Sequence, residues 1–304
     1  MILIWRISSG SSRPSAEKAR PANFLQTLEG GVLMTELVTI DLNDGVAHVR
    51  LNRADKYNAL SPEMFAAIAE AGEKVASMPG VRVVVLSGEG RGFCAGLDFS
   101  SFKGMGDRER KPGAEATMGA AMSAALPENH AQRPGMVWKR CPVPVICALH
   151  GVAFGGGLQV ALGADIRIAA PDAKLSVMEI KWGLVPDMGL TQTVRDIIRL
   201  DVLKELTFTG RVLSGAEAAE LGLVTRVAED PLAEALALAR TIAGKSPDAI
   251  RAGKRLLEES WHADPAHGLG LEASLQGGLI GSPNQLEAVK SVFEERPAQY
   301  TDVA

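Results

Sequence analysis

Residues 151–170, GVAFGGGLQVALGADIRIAA, together with LSVMEIKWGLVPDMG at 175–189, decide how this chain folds. An apolar run, PVICALHG, leads into three consecutive glycines, Gly155, Gly156 and Gly157, and an Ala/Leu-rich segment with helical spacing leads out of them. That order reads as a strand–loop–helix junction. Glycine at such a junction lets another group approach the main chain closely. The first N–H groups of the helix have no intrahelical partner, so the junction can stabilise an anionic oxygen. Two carboxylates, Glu179 and Asp187, follow in the next segment.

Working outward, LVTIDL and VAHVRL flank Asn43-Asp44-Gly45, which predicts a β-hairpin at the start of the domain. Ser61-Pro62-Glu63 supplies a helix start, with Phe65, Ile68 and Val75 at helical spacing until Pro79-Gly80 ends the run. VRVVVLSG then reads as a buried strand. IRIAA is a further strand, followed by helices expected around TVRDII, DVLKELTFTG and GAEAAELG. Strands alternating with helices predict an α/β fold. Residues 100–136 are poor in aromatic and β-branched residues and read as a surface insertion with a helical piece near 114–126, either a solvated loop or a lid. From Pro231 onward the pattern is helical, with good starts at Ser246-Pro247-Asp248 and Ser282-Pro283-Asn284.

At 304 residues and 46% apolar content the chain can bury a full core. A net charge of −4, with Lys and Arg scattered, offers no basic face for nucleic acid. No apolar run reaches the length of a membrane span. Three cysteines, Cys94, Cys141 and Cys147, lack metal-ligand spacing, and a cytoplasmic, reducing setting is the simplest reading. The five histidines form no metal constellation, and neither GxSxG nor a P-loop is present. Residues 1–34 read as a leader, either disordered sequence upstream of a start at Met34 or a transit peptide. The expected organisation is this leader, a core over 35–230 and a C-terminal helical region over 231–304.

From about Val38 to Val227 the chain resembles the crotonase superfamily of enoyl-CoA hydratases and isomerases. Four motifs carry the resemblance in family order: LNRADKYNAL (51–60), GRGFCAGLDF (90–99), the glycine loop, and the MEI…PDMG segment. It implies a spiral of repeated ββα units and a C-terminal helical subdomain that builds a homotrimer or a dimer of trimers. An acyl-CoA thioester is the implied substrate, with no cofactor beyond the coenzyme A that the substrate carries. By motif position, the N–H groups of Leu97 and Gly156 become oxyanion donors, while Lys56, Ala54, Ala95 and Asp98 meet the coenzyme A arm. Without the resemblance, the glycines read as tight helix packing and Lys56 as a solvated side chain.

Family hydratases place one Glu after the glycine loop and a second in a PEI-like segment. Here the first position is Gln159, and the second survives as Glu179. Glutamine orients water or substrate but takes no proton at neutral pH, so a two-glutamate addition of water loses one partner. Asp187, eight residues after Glu179, resembles the dienoyl-CoA isomerase branch, although that branch carries Asp where this chain has Gln159. Asp187 also reads as a cap for the helix containing TQTVRDII. Glu179, flanked by Val177, Met178, Ile180 and Trp182, is expected among apolar groups that raise its pKa into the range of a base. The leading expectation is a double-bond isomerase using Glu179, with Asp187 as partner. The alternatives are a hydratase in which Gln159 positions water, and a non-catalytic acyl-CoA binder.

Overall fold

The computed structural model describes residues 36–98 and 126–303. The leader expected over 1–34 and most of the insertion, with its helical piece, lie outside the described residues.

Strands β1 (Val38–Asn43) and β2 (Val46–Leu51) form the expected hairpin, turning through Asp44 and Gly45. Both turn residues have positive φ, 48° and 79°, the pattern of a two-residue type I′ turn. Helix α1 (Pro62–Ser77) starts as predicted, its Ser61 hydroxyl accepting from the Met64 N–H. Strand β3 (Val83–Gly88) follows, parallel to β2.

The rest of the core is a repeating path between two sheets. After β3 the chain reaches Cys94; after β4 (Val145–Leu149) it enters β5 (Val152–Phe154); after β6 (Ile166–Ala169) it enters β7 (Lys174–Ser176). The first members of these pairs lie in a six-stranded sheet of order β1-β2-β3-β4-β6-β9, with β9 at Arg226–Val227. The second members stack apart: Cys94 bridges Ala153, and β5 pairs with β7, which pairs with β8 (Leu213–Ser214). Each turn of the chain therefore adds one residue run to each sheet, which is the physical content of a ββα spiral. Helices α2 (Arg133–Lys139) and α3 (Gly156–Leu162) pack with α1 over the inner side of the large sheet.

Both faces of that sheet are buried, as a parallel sheet requires. Val84 and Leu86 of β3 enter the main core with Ile68, Phe93, Trp138 and Leu158. Val83 and Val85 point the other way, where Ala235, Ala239 and Ala243 of α7 (Pro231–Ala243) cover them. The three alanines repeat every four residues, one face of a helix, and their small size lets α7 lie close to the sheet.

One expected helix is cut short. α4 spans only Leu190–Thr193, and the TVRDII stretch runs on as turns. Val194 and Ile198 are buried in the core, and the backbone between them runs as turns. α5 (Leu200–Thr209) and α6 (Gly215–Glu220) form as predicted. So do α8 (Pro247–Ser260), α9 (Pro265–Leu279) and α10 (Pro283–Phe293), with Ser246 and Ser282 as side-chain caps. Lys254 of α8 anchors this region: its Nζ lies 2.7 Å from Asp165 Oδ2 and donates to the carbonyls of Val143 and Trp138.

Candidate active site

Asn58 organises the first motif. It is fully buried with φ 55°, a left-handed conformation that Asn tolerates better than most residues. Its Oδ1 accepts the Arg53 N–H, and its Nδ2 lies 3.0 Å from the carbonyl oxygens of Glu89, Gly92 and Phe93. The 51–60 segment is thereby stapled to the loop that carries Leu97. Arg53 adds a second staple, its Nη1 lying 2.5 Å from Asp98 Oδ2 and 3.0 Å from the Ala59 carbonyl. Ala95 donates its N–H to the Tyr57 carbonyl, and Ala54 lies against Gly90. Lys56 stands exposed on a 3₁₀ turn, Ala54–Lys56, and makes no ion pair among the described residues. Arg91, exposed as well, lies 4.6 Å above the Tyr57 ring. Arg53 and Arg91 lie inside the motifs at 51–60 and 90–99, but nothing in those motifs names their partners.

The two glycine-containing loops meet. Leu60 donates to the Gly96 carbonyl and accepts from the Asp98 N–H, bracketing Leu97 and turning the Leu97 N–H towards the opposite side. Gly96 has φ 85°, and a Cβ there would stand 2.6 Å from the Phe154 carbonyl oxygen and 3.8 Å from Gly156 N. Only glycine allows that approach. Among the described residues neither the Leu97 nor the Gly156 N–H donates to another protein group. Gly157 packs on Cys94, where a Cβ would fall 2.7 Å from the Cys94 Cβ, and a Cβ at Gly156 would fall 2.7 Å from Met188 Sδ and 2.9 Å from Leu60 Cδ1. The reading of the glycines as packing residues thus holds for both, and among the described residues the Gly156 N–H is unpaired as well. Cys94 itself is buried, donates to the Asn58 carbonyl, and has its pKa pushed up to about 12 by burial, which leaves it an inert thiol.

Glu179 opens a 3₁₀ turn, Glu179–Trp182, and its carboxylate lies over Gly155, where a Cβ would stand 3.4 Å from Oε1. Gln159 Nε2 donates to that oxygen across 2.6 Å. The other oxygen, Oε2, is buried without a hydrogen-bond partner among the described residues. Burial raises the Glu179 pKa; its own N–H and Gln159 oppose the shift, and the charge of Asp187 adds to it. The apolar flanks contribute less than expected, since Ile180 is 46% and Trp182 39% exposed. Gln159 is almost fully buried, and its Oε1 accepts the Met188 N–H at 2.8 Å.

Asp187 sits at the exposed rim, yet the protein on its flanks strips enough water to raise its pKa. It does not cap the following helix. Gly189 occupies the N-cap of α4 with no side-chain bond, so the capping role fails on geometry. The structure therefore brings Gln159, Glu179 and Asp187 to one place, beside the meeting point of the Leu97 and Gly156 loops. Among the described residues no group of His, Cys, Asp or Glu is arranged to hold a metal, and no helix is long and apolar enough to cross a membrane.

The family model for enoyl-CoA hydratase/isomerase matches residues 41–303. The mitochondrial methylglutaconyl-CoA hydratase of Mus musculus is 32% identical over 265 residues, covering 85% of this chain and 80% of the relative. The peroxisomal Delta(3,5)-Delta(2,4)-dienoyl-CoA isomerase of Arabidopsis thaliana is 29% identical, covering 87% and 96%. Among solved structures, an enoyl-CoA hydratase from Bacillus anthracis superposes with a TM-score of 0.74 at 29% identity, covering 87% of this chain and 98% of that one.

Proposed function

The chain belongs to the enoyl-CoA hydratase/isomerase family, and from that premise we propose that it shifts a double bond in an enoyl- or dienoyl-CoA with Glu179 as the base. One observation carries the preference for isomerisation. The group facing Glu179 is the amide of Gln159, which has one end on Glu179 and the other on Met188, where a hydrating pair needs a second carboxylate. The likeness to the Arabidopsis dienoyl-CoA isomerase supports the same reading, and the likeness to the mouse methylglutaconyl-CoA hydratase supports the rival one.

In the proposed reaction the thioester oxygen lies between the N–H groups of Leu97 and Gly156. Glu179 takes the C2 proton, and the electron pair of the broken C–H bond moves onto the thioester oxygen. Two preorganised donors stabilise that oxyanion, each by roughly 3 kcal/mol. For a 3-enoyl-CoA the electron pair returns through C2–C3, and the proton is delivered at C4. For a 3,5-dienoyl-CoA the accepting carbon is C6: protonated Asp187 supplies its proton while Glu179 holds the one it removed, and after product leaves a proton passes from Glu179 back to Asp187, which resets the pair. The raised pKa of each carboxyl suits a group that both takes and gives protons. Lys56, with Arg91 nearby, is assigned to the coenzyme A phosphates, and Ala54, Ala95 and Asp98 to the walls of its arm. Coenzyme A travels with the substrate, and this chemistry calls for no further cofactor. Three free, buried cysteines suit a reducing compartment.

We assign the C-terminal helices to self-assembly into a trimer or a dimer of trimers. α9 has no buried residue, and Leu257, Trp261, Leu269, Ile280, Val292 and Phe293 are each more than half exposed on α8–α10. Apolar exposure on that scale marks a surface that a partner covers.

Turnover of 3-enoyl-, 3,5-dienoyl- and 2-enoyl-CoA by the native chain and by Glu179→Gln tests the reaction. Isomerisation should exceed hydration, and Glu179→Gln should lower kcat by about 100-fold or more. Faster hydration of 2-enoyl-CoA transfers the assignment to a hydratase. Tight binding of all three esters without turnover makes the chain an acyl-CoA binder.

A further inference from the structure

We propose that Gln159 is a positioning residue: it holds Glu179 by Oε1, which leaves Oε2 as the proton-accepting oxygen, and it yokes the carboxylate to the turn that carries Asp187. The inference rests on Glu179 being the base.

The orientation of the Gln159 amide follows from its surroundings. The main-chain N–H of Met188 can only donate, so the atom 2.8 Å from it is the amide oxygen. The NH2 group then necessarily faces Glu179 Oε1, at 2.6 Å. Gln159 is 2% exposed, which leaves the side chain no room to swing towards solvent. One end of the amide is thus fixed by the backbone of a residue adjacent to Asp187, and the other end fixes the carboxylate.

The consequence for Glu179 is an asymmetry between its oxygens. Oε1 is already hydrogen-bonded and set against Gly155, whereas Oε2 is buried and, among the described residues, unpartnered. Both acceptor sites of Oε2 are open to an arriving proton, whereas Gln159 already takes one of the two on Oε1. The same Gln159 bond favours the ionised form, opposing burial and, whenever Asp187 is ionised, its field as well. Gln159 therefore keeps the base unprotonated and aimed. Its carbonyl oxygen is held by Met188, so it is not the acceptor of a reacting water.

Two variants separate these roles. Gln159→Met keeps the length of the side chain and removes both hydrogen bonds. The acid limb of kcat/KM for a 3-enoyl-CoA should move up by roughly one pH unit, because the ionised base loses its donor. kcat should fall about 10-fold with KM within about 2-fold, since the substrate does not touch the amide. Gln159→Glu places two carboxyl oxygens at the spacing now bridged by the amide hydrogen, so the pair must share a proton. Its acid limb should move further in the same direction, and hydration of 2-enoyl-CoA should rise at least about 10-fold over the native rate, as a second proton carrier enters the site. Carbon-13 NMR titration of the Glu179 carboxyl, assigned by difference from Glu179→Gln, reads the same shift without turnover. An unmoved titration in both variants overturns the proposal. Undiminished turnover in Glu179→Gln would instead remove the reading beneath it, while the titration would still report whether Gln159 holds the carboxylate.

Discussion

Arg53 reaches from the first motif to the second and sets its Nη1 2.5 Å from Asp98 Oδ2, with both side chains mostly buried. Asp98 follows Leu97 directly, so the ion pair holds the loop whose N–H we assign to the oxyanion. Arg53→Ala should cost about 1–3 kcal/mol of stability through its lost charged hydrogen bonds. The larger effect should be kinetic: a displacement of the donor by about 1 Å is worth up to 100-fold in turnover. Urea unfolding and steady-state turnover of a 3-enoyl-CoA measure the two effects separately. A loss of stability with unchanged kcat would assign the pair to the fold alone.

Arg53 also marks where sequence reading stops. The hairpin turn at Asp44-Gly45, the Ser61 cap and the strand–glycine–helix junction are each written in a few adjacent residues, because turn and cap geometry is local. Glu179, Gln159 and Asp187 were likewise legible by motif position. What those residues do to one another was not. The Gln159–Met188 and Arg53–Asp98 contacts join residues far apart in the chain, and nothing in either local pattern names the partner. The burial of Glu179 was expected from its apolar neighbours, but Ile180 and Trp182 turn outward and the carboxylate lies over Gly155 instead. Of the helix expected around TVRDII only Leu190–Thr193 forms, although Val194 and Ile198 keep the buried i, i+4 spacing that suggested it.

The donor role proposed for Asp187 separates two proton destinations. Asp187→Asn should slow 3,5-dienoyl-CoA conversion by about 100-fold, since the distal proton loses its donor. Simple 3-enoyl isomerisation should change by less than about 3-fold, a difference read as the ratio of the two kcat values. Asp187 caps no helix, so thermal unfolding should show no loss of stability. Equal slowing on both substrates would make Asp187 part of the electrostatic setting of Glu179 and remove its donor role.

Phe293, 84% exposed at the end of α10, and Trp261, 68% exposed at the end of α8, test the assembly. Placing a charge in an apolar contact leaves it without water or partner, which costs several kcal/mol. Trp261→Glu with Phe293→Glu should therefore move the proposed trimer or hexamer towards monomer in light scattering. A native chain that is active and strictly monomeric at micromolar concentration would end the assignment of these helices to self-assembly.

Glu179 carries a cost that its removal should reveal. Burial raises its folded-state pKa above the unfolded value near 4.3, so the folded chain binds the proton more tightly than the unfolded chain. Its contribution to stability is fully present below the unfolded pKa and is lost as pH rises through the folded pKa. Above the folded pKa the site therefore holds a desolvated charge, eased by the Glu179 N–H and by Gln159. Glu179→Gln removes the charge and keeps the shape, so Tm at pH 7 should rise, by about 1–3 °C. The gain should shrink as pH falls towards 4, where the native carboxyl is already protonated in the folded state. Scanning calorimetry of both proteins at pH 4.5 and pH 7 measures it. A rise at pH 7 together with the loss of turnover identifies Glu179 as a group kept for chemistry at the expense of stability, whereas a fall in Tm at pH 7 would make it a structural carboxylate and count against its role as the base.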